Sequence, residues 1–282
     1  MRSDASTQVG YDPTVVTVVL DWLLAGLCSR RRTVSLIGLT GLQGSGKSTF
    51  ARQLARAANA RGVATEALAL DDFYLGRRER VRLAREVHPL LATRGVPGTH
   101  DLDLLRRTLR ELARANAQRP ARIPRFDKGR DTRLPPSRWR PVAISPRLVL
   151  LEGWCVGVPA QATNALARPL NDLERDEDSD GRWRRWVNRQ LADGYTRLWR
   201  QMHGLILLEA PDFAVVSDWR NEPERTLRAG GAPCAMDRAA LRRFVMHYER
   251  LSRHALRALP ARADLRILLR DDRSVRRLLA RA

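Results

Sequence analysis

Short apolar runs recur along the chain at 34–39, 64–70, 148–151, 205–208 and 265–269. Each is only a few residues long and ends abruptly at charged or turn-forming residues, so each predicts a buried strand. The intervening segments 49–60, 77–87, 101–118, 183–202, 212–229 and 237–259 carry helical spacing of apolar positions. Residues 14–30 predict a helix packed outside the core, and 274–281 a closing helix. Pro223 and the pair Gly230-Gly231 are expected to break the helical stretches around them. The segment 124–146 is proline-rich and reads as irregular, and the acidic stretch 171–180 reads as a surface loop. Strands alternating with helices imply an α/β fold, a three-layer α/β/α arrangement about a mainly parallel sheet. No internal repeat or linker divides residues 1–282. The pattern therefore predicts a single domain, with 1–32 as an N-terminal helical extension and 211–236 as a lid-like helical segment.

The first strand runs into Gly41-Leu42-Gln43-Gly44-Ser45-Gly46-Lys47-Ser48-Thr49 and then into a helix. This is a complete phosphate-binding loop in its working context, between strand and helix. Glycines let successive backbone N–H groups turn inward on a phosphate, and the following helix directs its positive end to the same point. Gly41, Gln43, Gly44, Ser45, Gly46, Lys47, Ser48 and Thr49 are thus expected to hold a nucleoside triphosphate, ATP, on a P-loop NTPase fold. Lys47 would reach the β- and γ-phosphates and Ser48 would ligate Mg²⁺.

Composition narrows the partners. Lys plus Arg totals 51 and the formal charge is +20, yet only two of those cations are lysines, Lys47 and Lys128. A lysine that persists in so arginine-rich a chain marks a place where a compact ammonium is required and a planar guanidinium will not serve. One of the two is the phosphate-loop lysine, which makes Lys128 a candidate site residue. The arginines are spread along the chain, no nucleic-acid-binding module accompanies them, and aromatics make up 6%. A small anionic metabolite is the expected partner, and no specific nucleic acid. No run is long or apolar enough to span a membrane. The three cysteines, Cys28, Cys155 and Cys234, form neither a disulfide framework nor a zinc pattern. With no secretory pattern over residues 1–21, a cytoplasmic location is expected.

Ligands of parallel sheets bind beyond the carboxyl ends of the strands. Asp71-Asp72 and Glu152 end two of the predicted strands, so with the phosphate loop they would converge on one crevice. Phosphoryl transfer to an alcohol needs a carboxylate that accepts the hydroxyl proton, together with a metal. Asp71 and Asp72 are candidates for that carboxylate, and alternation at a strand end leaves open which one faces the metal. Glu152 ends a Walker-B-like strand with Glu where Asp is usual. Ser48, Asp71 and Glu152 are the candidate metal ligands. His203, His247 and His254 lack metal-ligand spacing, and the face formed by Trp183, Trp186 and Trp199 reads as core.

The segments Asp71-Asp72-Phe73-Tyr74, His88-Pro89-Leu90-Leu91, Arg94-Gly95-Val96-Pro97-Gly98-Thr99-His100-Asp101, Phe126-Asp127-Lys128 and Leu151-Glu152-Gly153-Trp154 together resemble the D-glycerate 3-kinases of plants and fungi and their bacterial relatives. That group lies among the P-loop kinases with uridine kinase, phosphoribulokinase and bacterial pantothenate kinase. The resemblance runs from about residue 34 onward and includes Trp219-Arg220 and Glu224 in a lid-like helix. It implies transfer of the γ-phosphoryl group of ATP to D-glycerate, with Asp71 as catalytic base beside Lys47 and Glu152. It implies further that Asp72, Tyr74, Arg94, His100, Asp127 and Lys128 surround the acceptor, whose carboxylate would suit Arg94 or Lys128. His100 reads equally as a structural loop histidine, and Arg220 and Arg228 as phosphate-closing or simply solvated. After Lys128 the chain departs from the plant-type pattern: a longer Ser- and Gly-rich segment is replaced by Gly129-Arg130-Asp131-Thr132-Arg133. A nucleoside or pantothenate-like acceptor is the alternative within the group, and a non-catalytic ATP-binding regulator the alternative outside it.

Overall fold

A computed structural model describes residues 10–28, 34–229 and 236–281. Helix α1 (Pro13–Cys28) precedes strand β1 (Ser35–Gly41), and the phosphate loop joins β1 to α2 (Lys47–Ala60). Strand β2 (Thr65–Ala69) ends in a 3₁₀ turn, Leu70–Phe73, and is followed by α3 (Arg77–Glu86) and α4 (Leu102–Leu112). Then come the short strands β3 (Ala121–Ile123), β4 (Phe126–Asp127), β5 (Thr132–Arg133) and β6 (Arg140–Val142), and the buried strand β7 (Leu148–Glu152). Helices α5 (Asp172–Glu177), α6 (Arg182–Gln190) and α7 (Thr196–Trp199) lead to β8 (Gly204–Glu209). Helices α8 (Val215–Ala229) and α9 (Arg238–Ala258) precede β9 (Leu265–Leu269) and β10 (Val275–Ala280).

The main sheet has the order β10-β9-β8-β1-β7-β2. Its first five strands in sequence, β2, β7, β1, β8 and β9, pair in parallel, and β10 adds antiparallel at the edge. Because successive strand residues face opposite sides, Leu36, Val149, Leu151, Leu205 and Leu207 fill one core. Ile37, Leu39, Leu148, Leu150, Ile206 and Ile267 fill the other, against Phe50 and Leu54 of α2 and Val19 and Leu20 of α1. Helix α2 packs on β2, β7 and β1, and α1 packs on α2, through these fully buried side chains. Each such Phe or Leu contributes about 2 kcal/mol of apolar burial, and together they fix where α2 begins.

Four local expectations are corrected. The predicted closing helix is strand β10. Asp271, Asp272 and Arg273 form a tight turn, with Arg273 at φ 68 and its amide donating to the Arg270 carbonyl at 2.9 Å. That turn returns the chain along the open edge of β9, whose backbone groups need partners. The acidic stretch 171–180 is helix α5, not a solvated loop. Asn171 caps it by accepting from the Glu174 amide at 3.1 Å, and Arg250 and Arg243, distant in sequence, pair with Glu174 and Glu177. Pro223 does not break α8, which runs continuously from 215 to 229. Burial of Val216 and Trp219 anchors its first turns and outweighs the one ladder bond that proline removes. The 124–146 region is not wholly irregular: β3 pairs with β6, and β4 with β5, as two antiparallel ribbons. The Gly230-Gly231 break and Cys234 lie outside the described residues, as do the side chains of Cys28, Glu224 and Arg228.

Candidate active site

The phosphate loop takes its shape from glycine and from close packing. Gly44 and Gly46 adopt φ of 84° and 82°, the left-handed region that a β-carbon disfavours. A β-carbon on Gly44 would also stand 2.5 Å from Cβ of Trp219. Lys47 opens α2 and donates to the Leu42 carbonyl at 3.2 Å, curling over the loop. Beneath the loop, the Tyr11 hydroxyl donates to the Ser45 carbonyl at 2.5 Å. Gln53 holds the backbone of Tyr11 in turn, through two bonds of 2.9 Å each.

Ser48 and Glu152 meet where the loop faces β7. The Ser48 hydroxyl donates to Oε1 of Glu152 at 2.5 Å. Burial pushes the Lys47 ammonium down and the Glu152 carboxyl up in pKa, while their mutual attraction opposes both shifts. Hydroxyl and carboxylate oxygens are the hard donors that Mg²⁺ takes, with phosphate oxygens and water completing its shell. Ser48, Glu152 and Asp71 fit that requirement. No cluster of three His, Cys, Asp or Glu forms an all-protein metal cage among the described residues.

The two aspartates at the end of β2 diverge. Asp71 accepts from the Tyr74 hydroxyl through Oδ1 at 2.8 Å, and its Oδ2 lies 2.6 Å from the Lys128 ammonium. Burial alone would raise its pKa, but the charge and hydrogen bond of Lys128, with the bond from Tyr74, hold it at about 2. Asp72 instead accepts from the Phe126 amide at 2.9 Å, tying β4 to the end of β2. Burial, the larger influence, pushes its pKa up against that amide bond. Asp71 is thus the aspartate paired with Lys128, and Asp72 fixes the strand from which Lys128 projects.

The glycine- and proline-bearing loop at 94–101 is an inner scaffold. Gly95, Val96, Pro97, Thr99 and His100 are buried. Tyr248 donates to the Arg94 carbonyl at 2.9 Å, Trp154 to the Gly95 carbonyl at 3.1 Å, and Tyr195 accepts from the Gly98 amide at 2.9 Å. His100 lies 2.7 Å from the Tyr195 hydroxyl through Nδ1 and stacks on Tyr74 at 4.6 Å between centroids. Burial pushes its pKa down to about 4, against the pull of Asp71. The loop therefore holds Tyr74, and Tyr74 holds Asp71. Asp127 accepts from the Gly129 and Arg130 amides, each at 3.0 Å, and so organises the turn that follows it. Arg94 pairs with Asp131 in that turn.

Two cavities open on this assembly. One of about 440 Å³ lies over Gly46, Lys47 and Thr49, flanked by Trp219, Arg220 and Arg273. The other, of about 610 Å³, is bounded by Asp71, Arg125, Phe126, Lys128 and Glu152. Ser48 lines both. A triphosphate in the first would therefore present its terminal group at the entrance to the second, where Asp71 stands. Tyr11, Tyr195 and Tyr248 support the loops around these cavities through bonds to the Ser45, Gly98 and Arg94 backbone, without a motif to announce them. The histidines at 203, 247 and 254 bond to backbone groups elsewhere. Trp183 and Trp199 are core residues, as their spacing predicts, and Trp186 is half-buried.

A phosphate loop feeding a strand-end carboxylate on a mainly parallel sheet defines a P-loop kinase. The model of the phosphoribulokinase/uridine kinase family matches residues 36–193, and the chain belongs to that family. It is 33% identical over 222 residues to the uncharacterized kinase mug58 of Schizosaccharomyces pombe, covering 76% of this chain and 78% of the relative. It is 30% identical over 133 residues to the probable ATP-dependent kinase TDA10 of Saccharomyces cerevisiae, covering 43% and 45%. Its fold is similar to that of a D-glycerate 3-kinase from Cryptococcus neoformans, with TM-score 0.77 and 22% identity over 95% of this chain and 99% of that one.

Proposed function

We propose that this kinase transfers the γ-phosphoryl group of ATP to a hydroxyl of a small anionic metabolite, with D-glycerate as acceptor and 3-phosphoglycerate as product. The observation that carries the reading is the junction of the two cavities at Ser48, with Asp71 on the acceptor side. Asp71 would orient the acceptor hydroxyl and take its proton as that oxygen bonds to the γ-phosphorus. The bond from the γ-phosphorus to the bridging oxygen breaks, and ADP leaves. Lys47 would stabilise charge on the β- and γ-oxygens. Mg²⁺, when bound, supplies further neutralisation of those oxygens, and Ser48, Glu152 and Asp71 would hold it. Arg125 and Lys128 give the acceptor cavity a cationic side suited to a carboxylate. The similarity of fold to a fungal D-glycerate 3-kinase supports glycerate in particular. A cytoplasmic setting accords with Cys155, a buried free thiol.

One observation favours a second reading. A cavity of about 610 Å³ has room for an alcohol larger than a three-carbon acid, such as a nucleoside or a pantothenate-like molecule. Both readings are tested by ADP release from Mg-ATP with D-glycerate, L-glycerate, uridine and pantothenate offered separately, and product mass measured. Turnover with D-glycerate alone supports the first reading. Turnover only with a larger alcohol replaces it with the second, and tight ATP binding without turnover on any of them removes both.

A further inference from the structure

Lys128 and Asp131 are the two ends of the four-residue turn that joins β4 to β5. Lys128 reaches Asp71, while Asp131 points away from the acceptor cavity and into a pair of arginines. One carboxylate oxygen of Asp131 pairs with Arg80 and the other with Arg94. Arg80 is 1% exposed and also donates to the Ala92 carbonyl at 3.3 Å. Arg94 donates to the carbonyl of Lys128 itself at 3.2 Å, and its guanidinium lies over the Phe126 ring at 5.6 Å. Two cations from outside the hairpin thus grip it at its first strand, at Lys128 and at Asp131.

We propose that Asp131 is a positioning residue: held by Arg80 and Arg94, it sets the turn so that Lys128 meets Asp71. The functional importance of that meeting rests on the reading of Asp71 as catalytic base. Asp131 is at φ 52, a left-handed conformation that Asp tolerates better than most residues and that needs support to persist. The side chain of Lys128 is 61% exposed, so the backbone of the turn governs where its ammonium lies. Without the Asp131 carboxylate, Arg80 keeps a buried charge without its counterion. The turn then loses its anchor, and Lys128 leaves Asp71. Arg94, expected from sequence to greet the acceptor, is on this account part of the anchor.

The chain's two lysines make the test direct. Protein labelled with ¹³C at the lysine ε-carbon gives two resonances, assigned by Lys128→Met. In the native chain, Asp71→Asn moves the Lys128 resonance. In Asp131→Asn, that resonance is expected to move toward the position of free lysine and to lose its response to Asp71→Asn, with the Lys47 resonance in place. Turnover number falls about tenfold, with KM for Mg-ATP unchanged. A Lys128 resonance that stays at its native position and still answers to Asp71→Asn overturns the proposal. If Asp131→Asn disturbs Lys47 as well, and so unfolds, Arg94→Gln decides by the same two criteria. The resonances need no acceptor, so the two readings fail separately. Shifted lysine signals in a chain without kinase turnover sink only the function, whereas turnover with unmoved signals sinks only the positioning.

Discussion

Lys128 places its ammonium 2.6 Å from Oδ2 of Asp71, while Tyr74 donates to Oδ1 at 2.8 Å. Each oxygen of the carboxylate therefore has one partner, and its remaining lone pairs are free to accept another donor. Burial raises the pKa of Asp71 and Lys128 more than offsets it, leaving the group ionised down to about pH 2. With Lys128→Met the opposing charge is gone and burial dominates, so the pKa rises. The acid limb of kcat/KM should then climb by about two pH units or more into the measurable range. Superimposable profiles for the two proteins would show that Asp71 does not report on Lys128.

Asp71→Asn keeps the size of the side chain and removes the proton acceptor. Turnover is expected to fall by about 10²- to 10⁴-fold, with ATP affinity little changed because the phosphate loop does not depend on it. Equilibrium titration with nucleotide and steady-state rates separate the two. Unchanged turnover would remove Asp71 from the proton transfer.

Gly44→Ala meets Cβ of Trp219 at 2.5 Å and takes on a left-handed φ besides. The expected cost is about 2 kcal/mol in urea unfolding, together with weakened ATP binding. Trp219→Gly in the same chain removes that β-carbon but not the φ strain, so it should recover ATP binding only in part. Full recovery would show that the collision alone mattered.

Away from the site, Glu174 is fully buried and pairs with Arg250 at 2.6 Å. Glu174→Gln leaves the arginine charge without its partner and is expected to cost about 3 kcal/mol. Chemical denaturation reads this directly, and the folded fraction should keep its turnover number. A change under about 0.5 kcal/mol would mean that water or the Arg168 carbonyl already satisfies Arg250.

The strands and the phosphate loop were legible because their signals are local. Five apolar runs mark the five parallel strands, and Lys47 and Ser48 stand at fixed spacing after Gly41. What escaped was set by partners remote in sequence. Residues 171–180 look solvated until Arg250 and Arg243 arrive to pair with Glu174 and Glu177. Residues 274–281 hold too few apolar positions to tell a closing helix from an edge strand, and the bare edge of β9 settles the matter. Within the site, the motif at 94–101 marked the right neighbourhood, yet most of it touches Tyr195, Tyr248 and Trp154 instead of the cavity. The scarcity of lysine pointed to Lys128, and its ion pair with Asp71 gives that scarcity a physical sense. No periodicity distinguishes Asp71 from Asp72; the Phe126 amide does.

The bond from Tyr11 to Ser45 redraws the limits of the working unit. Everything that identifies the nucleotide site lies at residue 41 or beyond, so a version of the chain beginning at the first strand keeps the whole signature. It would nonetheless lose the hydroxyl that holds the loop from below and leave Gln53 with a backbone partner missing. Tyr11, just ahead of helix α1, is in this sense part of the support of the phosphate loop, and domain shuffling or trimming guided by the motif alone would cut that support away.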